Sequence, residues 1–192
     1  RIQTAYLWWA IVVIGVILRV RQYFSGRSLW GDEAAIAFNL AQRTFVGLSQ
    51  SLDYDQGAPI GFLFIEKLLI LLFGNIDQVM RLFPLFSGIL AVYLFYRIAR
   101  AHIQSGMFAA LLFAISSSLI YYSSELKQYS TDVMIGLLLV FVASRCLKED
   151  VRSRDFWILG ITGMAAIWLS HPSTFILAGI GLMLFFAAIT RN

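Results

Sequence analysis

Residues 173–190 read STFILAGIGLMLFFAAIT, eighteen positions without one charged side chain. As a helix this run is ~27 Å long, close to the ~30 Å hydrocarbon core of a bilayer. Apolar runs recur at 4–20, 82–96, 107–122, 133–147 and 156–170. Several fall short of the ~20 residues that span a bilayer, and flanks such as Tyr121 and Tyr122 extend them into the interface. Composition agrees: 59% of residues are hydrophobic and 14% charged, against about 25% charged in soluble domains. The fold class expected is an all-α integral membrane protein with about six transmembrane helices. The lone Cys146 excludes an internal disulfide and a cysteine metal cluster. A net charge of +4 without a basic, aromatic-interleaved run gives no reason to expect nucleic acid. The chain has no initiator Met and no cleavable signal peptide, and it starts and stops beside apolar segments. It reads as a piece of a longer protein, one transmembrane module over 1–192.

A further apolar run, 59–74, carries Glu66 and Lys67 at its middle. Charges there cost roughly 3 kcal/mol each in a membrane span. Loop charge decides its placement. The short linkers hold Arg97, Arg100 and His102, then Lys148, Arg152 and Arg154 with Arg145 just before; the tail ends in Arg191. Short basic loops face the cytoplasm. All three fall on one side if 59–74 lies at the interface, with Glu66 and Lys67 as a surface-lying polar face. Arg19 and Arg21, at the outer end of the first span, oppose this assignment; charges upstream of Arg1 would have to outweigh them. The outer side then carries Asp32, Glu33, Asp53, Asp55, Glu66, Asp77, Glu125 and Asp132, and the inner side Glu149, Asp150 and Asp155. Two separate acidic loops converge on one face, where Ser170-His171-Pro172 makes a tight turn. The first of these loops, 21–81, is expected to hold two juxtamembrane helices, 32–44 and 59–74, joined by the turn-like stretch 51–58.

Each polar motif has a chemical and a plain reading. Asp32, in Trp30-Gly31-Asp32-Glu33, suits a general base taking a proton from an acceptor hydroxyl; alternatively it is an N-cap with Glu33 as dipole partner. Glu125, Lys127, Tyr129 and Asp132 suit a metal, a phosphate or sugar hydroxyls; alternatively they are a wet interfacial loop. A carboxylate entering a span, as Asp132 does, usually has a task. His171 suits metal or phosphate, or is a hydrogen-bonded turn residue. Asp53 and Asp55, ahead of Gln56-Gly57-Ala58-Pro59, suit acceptor or metal, or turn chemistry. Arg81 suits a lipid phosphate or interfacial anchoring. No P-loop, dinucleotide fingerprint or zinc-protease helix is present.

The ordered series Gly31-Asp32-Glu33, Gln56-Gly57-Ala58-Pro59, Arg81-Leu82-Phe83-Pro84, Glu125 to Asp132 and Ser170-His171-Pro172 resembles the GT-C membrane glycosyltransferases. It is most similar to the bacterial branch related to protein O-mannosyltransferases and the lipid A aminoarabinose transferase. The resemblance implies a multi-pass protein of the bacterial inner membrane serving the cell envelope, with its site on the extracytoplasmic side. It implies a polyprenyl-phosphate sugar donor, an acceptor hydroxyl on protein, lipid or glycan, and inverting transfer. Asp32 matches the catalytic base, with Glu33 its motif partner, and Asp132 a later carboxylate holding a metal or polar substrate group. The aminoarabinose branch has an Arg where this chain has Ala35, and a Glu-Lys pair where it has Gly57-Ala58-Pro59-Ile60. A divalent cation is the one cofactor to consider, with Glu125, Asp53, Asp55 and Asp132 as its candidate ligands. Lys127, Arg81 and His171 are the cations left for the donor phosphate, with Gln56 and Tyr129 as polar contacts. The fragment alone is expected to be inactive. A transporter or a non-catalytic assembly subunit of envelope glycan export is the competing reading.

Overall fold

The computed structural model describes residues 2–148 and 150–191, with side chains from Ala5 to Lys148 and Asp150 to Thr190. Arg1, Glu149 and the Arg191 side chain, part of the loop-charge argument, lie outside the described residues. The described chain is helical and contains no strand. Its helices are α1 (Ile2–Tyr23), α2 (Gly31–Gln42), α3 (Phe45–Leu48), α4 (Ile60–Phe73), α5 (Leu82–His102), α6 (Gly106–Ile115), α7 (Ser117–Tyr122), α8 (Tyr129–Cys146), α9 (Ser153–Leu169) and α10 (Ser173–Arg191). Single 3-10 turns occur at Asp53–Asp55 and Val79–Arg81.

Four segments are long and apolar enough to cross a bilayer: Ala5–Tyr23, Val79–His102, Tyr129–Cys146 and Ser173–Thr190. Two expected spans look different. The run 107–122 breaks at Ser116, whose backbone turns extended (φ −59°, ψ 116°) between α6 and α7. Three successive serines, Ser116 to Ser118, offer hydroxyls that compete with the helix ladder. The fifth, α9, has 17 residues.

α5 and α8 form the central pair. Leu94, Met134, Ile135, Leu139 and Ala166 share one buried cluster. α1 and α6 pack on one flank, where Phe95 stacks on Phe113 at 4.3 Å. α9 and α10 pack on the other. The outer surface stays apolar: Phe175, Leu182, Phe185 and Phe186 of α10 are all exposed. Water is a poor solvent for so contiguous an apolar surface, and lipid is a good one.

The loop between α1 and α5 builds a second core. Ile36, Leu40, Phe62, Leu63, Met80 and Leu126 are buried together. Pro59 caps α4 at its start, and Gly74, at φ 99°, ends it in a backbone region that side chains disfavour. With 14 residues, α4 is ~21 Å long, less than a bilayer core. Its first turn lies so close to the end of α9 that a Cβ on Gly61 would stand 2.6 Å from the Trp168 carbonyl oxygen. The segments 24–81, 123–128 and 170–172 therefore gather at one end of the bundle. The basic stretches 97–102 and 145–155 gather at the other, where Arg145 pairs with Asp155 at 2.8 Å.

Glu66 and Lys67 do not form a surface-lying polar face. Glu66 is 0% exposed, and neither carboxylate oxygen has a hydrogen-bond partner. Lys67 reaches back to donate to the Leu40 carbonyl at 2.7 Å. α4 packs on α2, the 3-10 turn before α5, and α9 at once, so the face that holds Glu66 is inside. Burial drives its carboxyl well above the usual range.

Candidate active site at the acidic end of the bundle

Asp32 and Glu33 are neighbours in the first turn of α2, yet their environments are opposite. Glu33 is 0% exposed. Its Oε1 accepts from Arg81 Nε (3.0 Å) and the Leu126 amide (2.8 Å); its Oε2 accepts from Arg81 Nη2 (2.8 Å) and the Trp30 amide (3.4 Å). Arg27 adds a longer ion pair at 3.8 Å. The Trp30 bond caps the helix start, so Glu33, and not Asp32, does the capping. Arg81 is spent as well. Besides Glu33, it donates to the carbonyls of Arg27 (2.6 Å) and Ser28 (3.3 Å). Arg81, expected to meet a lipid phosphate or to anchor at the interface, is buried in this clasp, and its Glu33 pair ties the helix α2 start to Leu126 and to the head of α5.

Asp32 faces outward, its side chain 47% exposed, with Lys127 Nζ at 3.5 Å. Lys127 is buried and donates to Gln56 Oε1 at 2.7 Å. Gln128 donates to the Gly57 carbonyl at 3.5 Å. Residues 32, 56 and 127, separated in sequence, thus share one corner. Tyr129 follows and lies within electrostatic reach of Asp32, Glu125 and Asp132. Glu125 is buried, accepting from the Trp30 indole at 2.6 Å, while its other oxygen has no partner. Burial raises its carboxyl above the usual range; the Trp30 bond pulls the other way. Asp132 sits half-buried at the head of α8 beside Ser170 and His171, its Oδ1 without a hydrogen-bond partner. His171 is exposed in the turn. Asp32 from the first loop and Glu125 and Asp132 from the second all lie near Tyr129.

Asp53 and Asp55 are not drawn into this corner by any ion pair. Asp53 pairs with Arg43 at 2.9 Å, and its amide donates to Asn39 Oδ1. Tyr54 and Asp55 hold positive φ (62° and 51°), Tyr54 resting edge-on against Phe38. No three His, Cys, Asp or Glu side chains gather to hold a metal ion among the described residues.

Sequence reasoning missed three residues. Arg27 donates to the Ser124 carbonyl at 3.0 Å and lies over the Tyr121 ring at 4.2 Å. Trp30 holds Glu125. Arg19 is the most telling: it is 1% exposed, donates from Nη1 to the carbonyls of Gly15 and Ala114 and, among the described residues, leaves Nε unpartnered and makes no ion pair. Of the two arginines that oppose the loop-charge rule, Arg19 points into the bundle and Arg21 is exposed. The signal was in the sequence, since an arginine inside an apolar run is rarely decorative. Arg19 lines an apolar cleft of about 350 Å³. Ser118, Tyr122, Tyr129, Ser130 and Asp132 line it too.

A family model described as dolichyl-phosphate-mannose-protein mannosyltransferase matches residues 57–192. The chain belongs to this family. Mannosyltransferase-type membrane glycosyltransfer is therefore the chemistry its fold is built for. No curated protein matches the chain, and no solved structure does. The mannosyltransferase match starts beyond Asp32, so Asp32 enters the site through geometry: its ionic partner Lys127 lies inside the matched region.

Proposed function

We propose that the chain is the membrane module of a glycosyltransferase that moves a sugar from a polyprenyl-phosphate carrier to an acceptor hydroxyl, on the extracytoplasmic side of a bacterial inner membrane. One observation carries this reading: an outward-facing carboxylate, Asp32, paired with Lys127, lies within electrostatic reach of Tyr129, which lines an apolar cleft that also holds the buried Arg19. The polyprenyl chain lies against the apolar walls and its phosphate meets Arg19 and Lys127. Charge developing on a leaving phosphate is stabilised most by donors already in place and poorly hydrated. Asp32 takes the acceptor proton, the acceptor oxygen bonds to the anomeric carbon, and the carbon–oxygen bond to phosphate breaks. The lipid phosphate leaves with the electron pair. A single displacement of this kind inverts the anomeric centre. Tyr129, Asp132 and His171 contact sugar hydroxyls. Glu33 and Arg81 act as positioning residues. A hollow lined by Gly31, Ala34, Ala35, Phe38 and Tyr54 opens on the same helix and gives an acceptor a place.

A divalent cation remains a proposal for the full protein, and none of these steps is routed through one. The test uses full-length protein in nanodiscs with labelled polyprenyl-phosphate sugars. Asp32→Asn should lower turnover by about 10²–10⁴-fold, the worth of a general base, while lipid binding persists. Wild-type turnover in Asp32→Asn would defeat the base assignment. A carrier without chemistry would bind the lipid and transfer nothing in either form.

A further inference from the structure

The end of the bundle opposite Asp32 holds a second concavity, about 800 Å³, between the start of α1 and the ends of α5 and α8. Arg97, Arg100, His102, Arg145 and Lys148 line it, and among the described residues no Asp or Glu does. Among the described residues, only Arg145 of these has a carboxylate partner, Asp155. The two α5 arginines are held in place. Arg97 Nη1 donates to Tyr93 Oη and Arg100 Nη1 to Tyr96 Oη, both at 2.8 Å. The Arg97 guanidinium also lies 5.3 Å from the Phe141 ring centre. Each guanidinium spends one of its five donors on a phenol oxygen.

The rule that basic loops stay inside accounts for the sign of these charges. It does not account for their arrangement around one hollow with aromatic walls. Side chains on a merely solvated face keep their rotamer freedom; Arg97 and Arg100 are pinned by their tyrosines, and among the described residues neither has a carboxylate partner. The walls add a second requirement. Trp9 is 51% exposed beside buried Tyr96, 5.5 Å between ring centres. A ligand for this site needs a phosphate-like anion for the arginines and an apolar portion for Trp9 and Phe141. Basic pockets between transmembrane helices suit anionic lipid headgroups in this way. We propose that this cleft binds the headgroup of an anionic phospholipid, in the leaflet away from the Asp32 site. The proposal is independent of the transfer reaction.

The test is native mass spectrometry of the full-length protein released from nanodiscs of mixed phosphatidylglycerol and phosphatidylcholine. The wild type should retain phosphatidylglycerol selectively. Arg97→Gln/Arg100→Gln should weaken that retention about thirty-fold and Lys148→Gln about five-fold, as the attraction of a membrane surface for basic residues implies. The single Lys148 variant keeps the test alive if the double one fails to fold. Arg152→Gln/Arg154→Gln, at the same end but outside the cleft, should retain the lipid as wild type does. Three results would overturn the proposal: no selectivity in the wild type, equal loss in the two arginine pairs, or displacement of the lipid by millimolar inorganic phosphate.

Discussion

Replacing Arg81 with Met should be far more damaging alone than beside Glu33→Gln. Arg81 and Glu33 are almost wholly buried, so solvent screening offers little relief. Arg81→Met leaves the Glu33 carboxylate with two backbone amides and a distant Arg27 as its only partners. A buried charge stripped of its partner costs about 3–5 kcal/mol. The carbonyls of Arg27 and Ser28 lose their donor too, at about 1 kcal/mol each. Glu33→Gln strands the guanidinium in the same way, for about 3–5 kcal/mol. The double variant removes both charges together, so only hydrogen bonds and packing are lost. It should cost about 2–4 kcal/mol, well below the sum of the singles, because replacing a buried pair is nearly neutral while breaking one is not. Unfolding of the full-length protein in mixed micelles with increasing sodium dodecyl sulfate measures all four forms as a double-mutant cycle. Costs that add within ~0.5 kcal/mol would mean the two side chains do not share their energy. A cost below about 1 kcal/mol for either single variant would refute the clasp.

Glu66→Gln should change how stability depends on pH. The Glu66 carboxyl is raised by burial, so its contribution is intact below the ordinary value of 4.5 and is lost as pH climbs toward and through the folded value. The variant should match wild type near pH 4 and melt at a higher temperature at pH 8; a lower melting temperature at pH 8 would count against a neutral buried acid. Gly61→Ala should cost about 1–3 kcal/mol because its new methyl meets the Trp168 carbonyl, while Gly57→Ala, with open space around it, should be silent in the same thermal melts. Arg19→Gln should weaken binding of polyprenyl phosphate at least about ten-fold, a charge-assisted contact's worth, in a filter-retention assay on the full protein. Unchanged binding would take Arg19 out of the phosphate seat. Lys127→Met should lower transfer and also loosen the 56–57 segment, seen as faster amide exchange at Gly57, since Lys127 holds Gln56.

Much of this is legible without coordinates. Apolar runs locate the helices, Pro59 marks the start of α4, and loop charge places the acidic loops at one end and the basic loops at the other. What escapes is set by packing. Ser116 to Ser118 look like polar punctuation inside one span, and nothing in their pattern says that the helix breaks at Ser116. Glu66 looks like an interfacial charge because periodicity cannot tell which side of a short helix another element will cover; Glu66 shares the buried face of Phe62, Leu63 and Ile70, which packs with Ile36 and Leu40 of α2. Arg81 and Glu33, 48 positions apart, carry no pattern that predicts their pairing. Arg19 reads as a flank charge because a string of residues carries no depth.

The adjacency of Asp32 and Glu33 explains why the site is assembled from loops at all. Successive helix positions point about 100° apart, so one residue of the pair turns inward as the other turns out. Glu33, turned inward, collects Arg81, Leu126 and Trp30 and thereby joins three separate segments. Asp32, on the other side of the same turn, inherits that rigidity. Its position relative to Lys127 is set by the Glu33–Leu126 bond one residue away on each chain segment. The two carboxylates are therefore placed differently: the buried one is committed to structure, and the outward one is free for the base role proposed above. Exchanging the pair, Asp32→Glu together with Glu33→Asp, would test this division, because the shorter inward carboxylate cannot reach both Arg81 and Leu126. The exchanged chain should lose stability and transfer together, whereas Asp32→Asn should lose transfer alone.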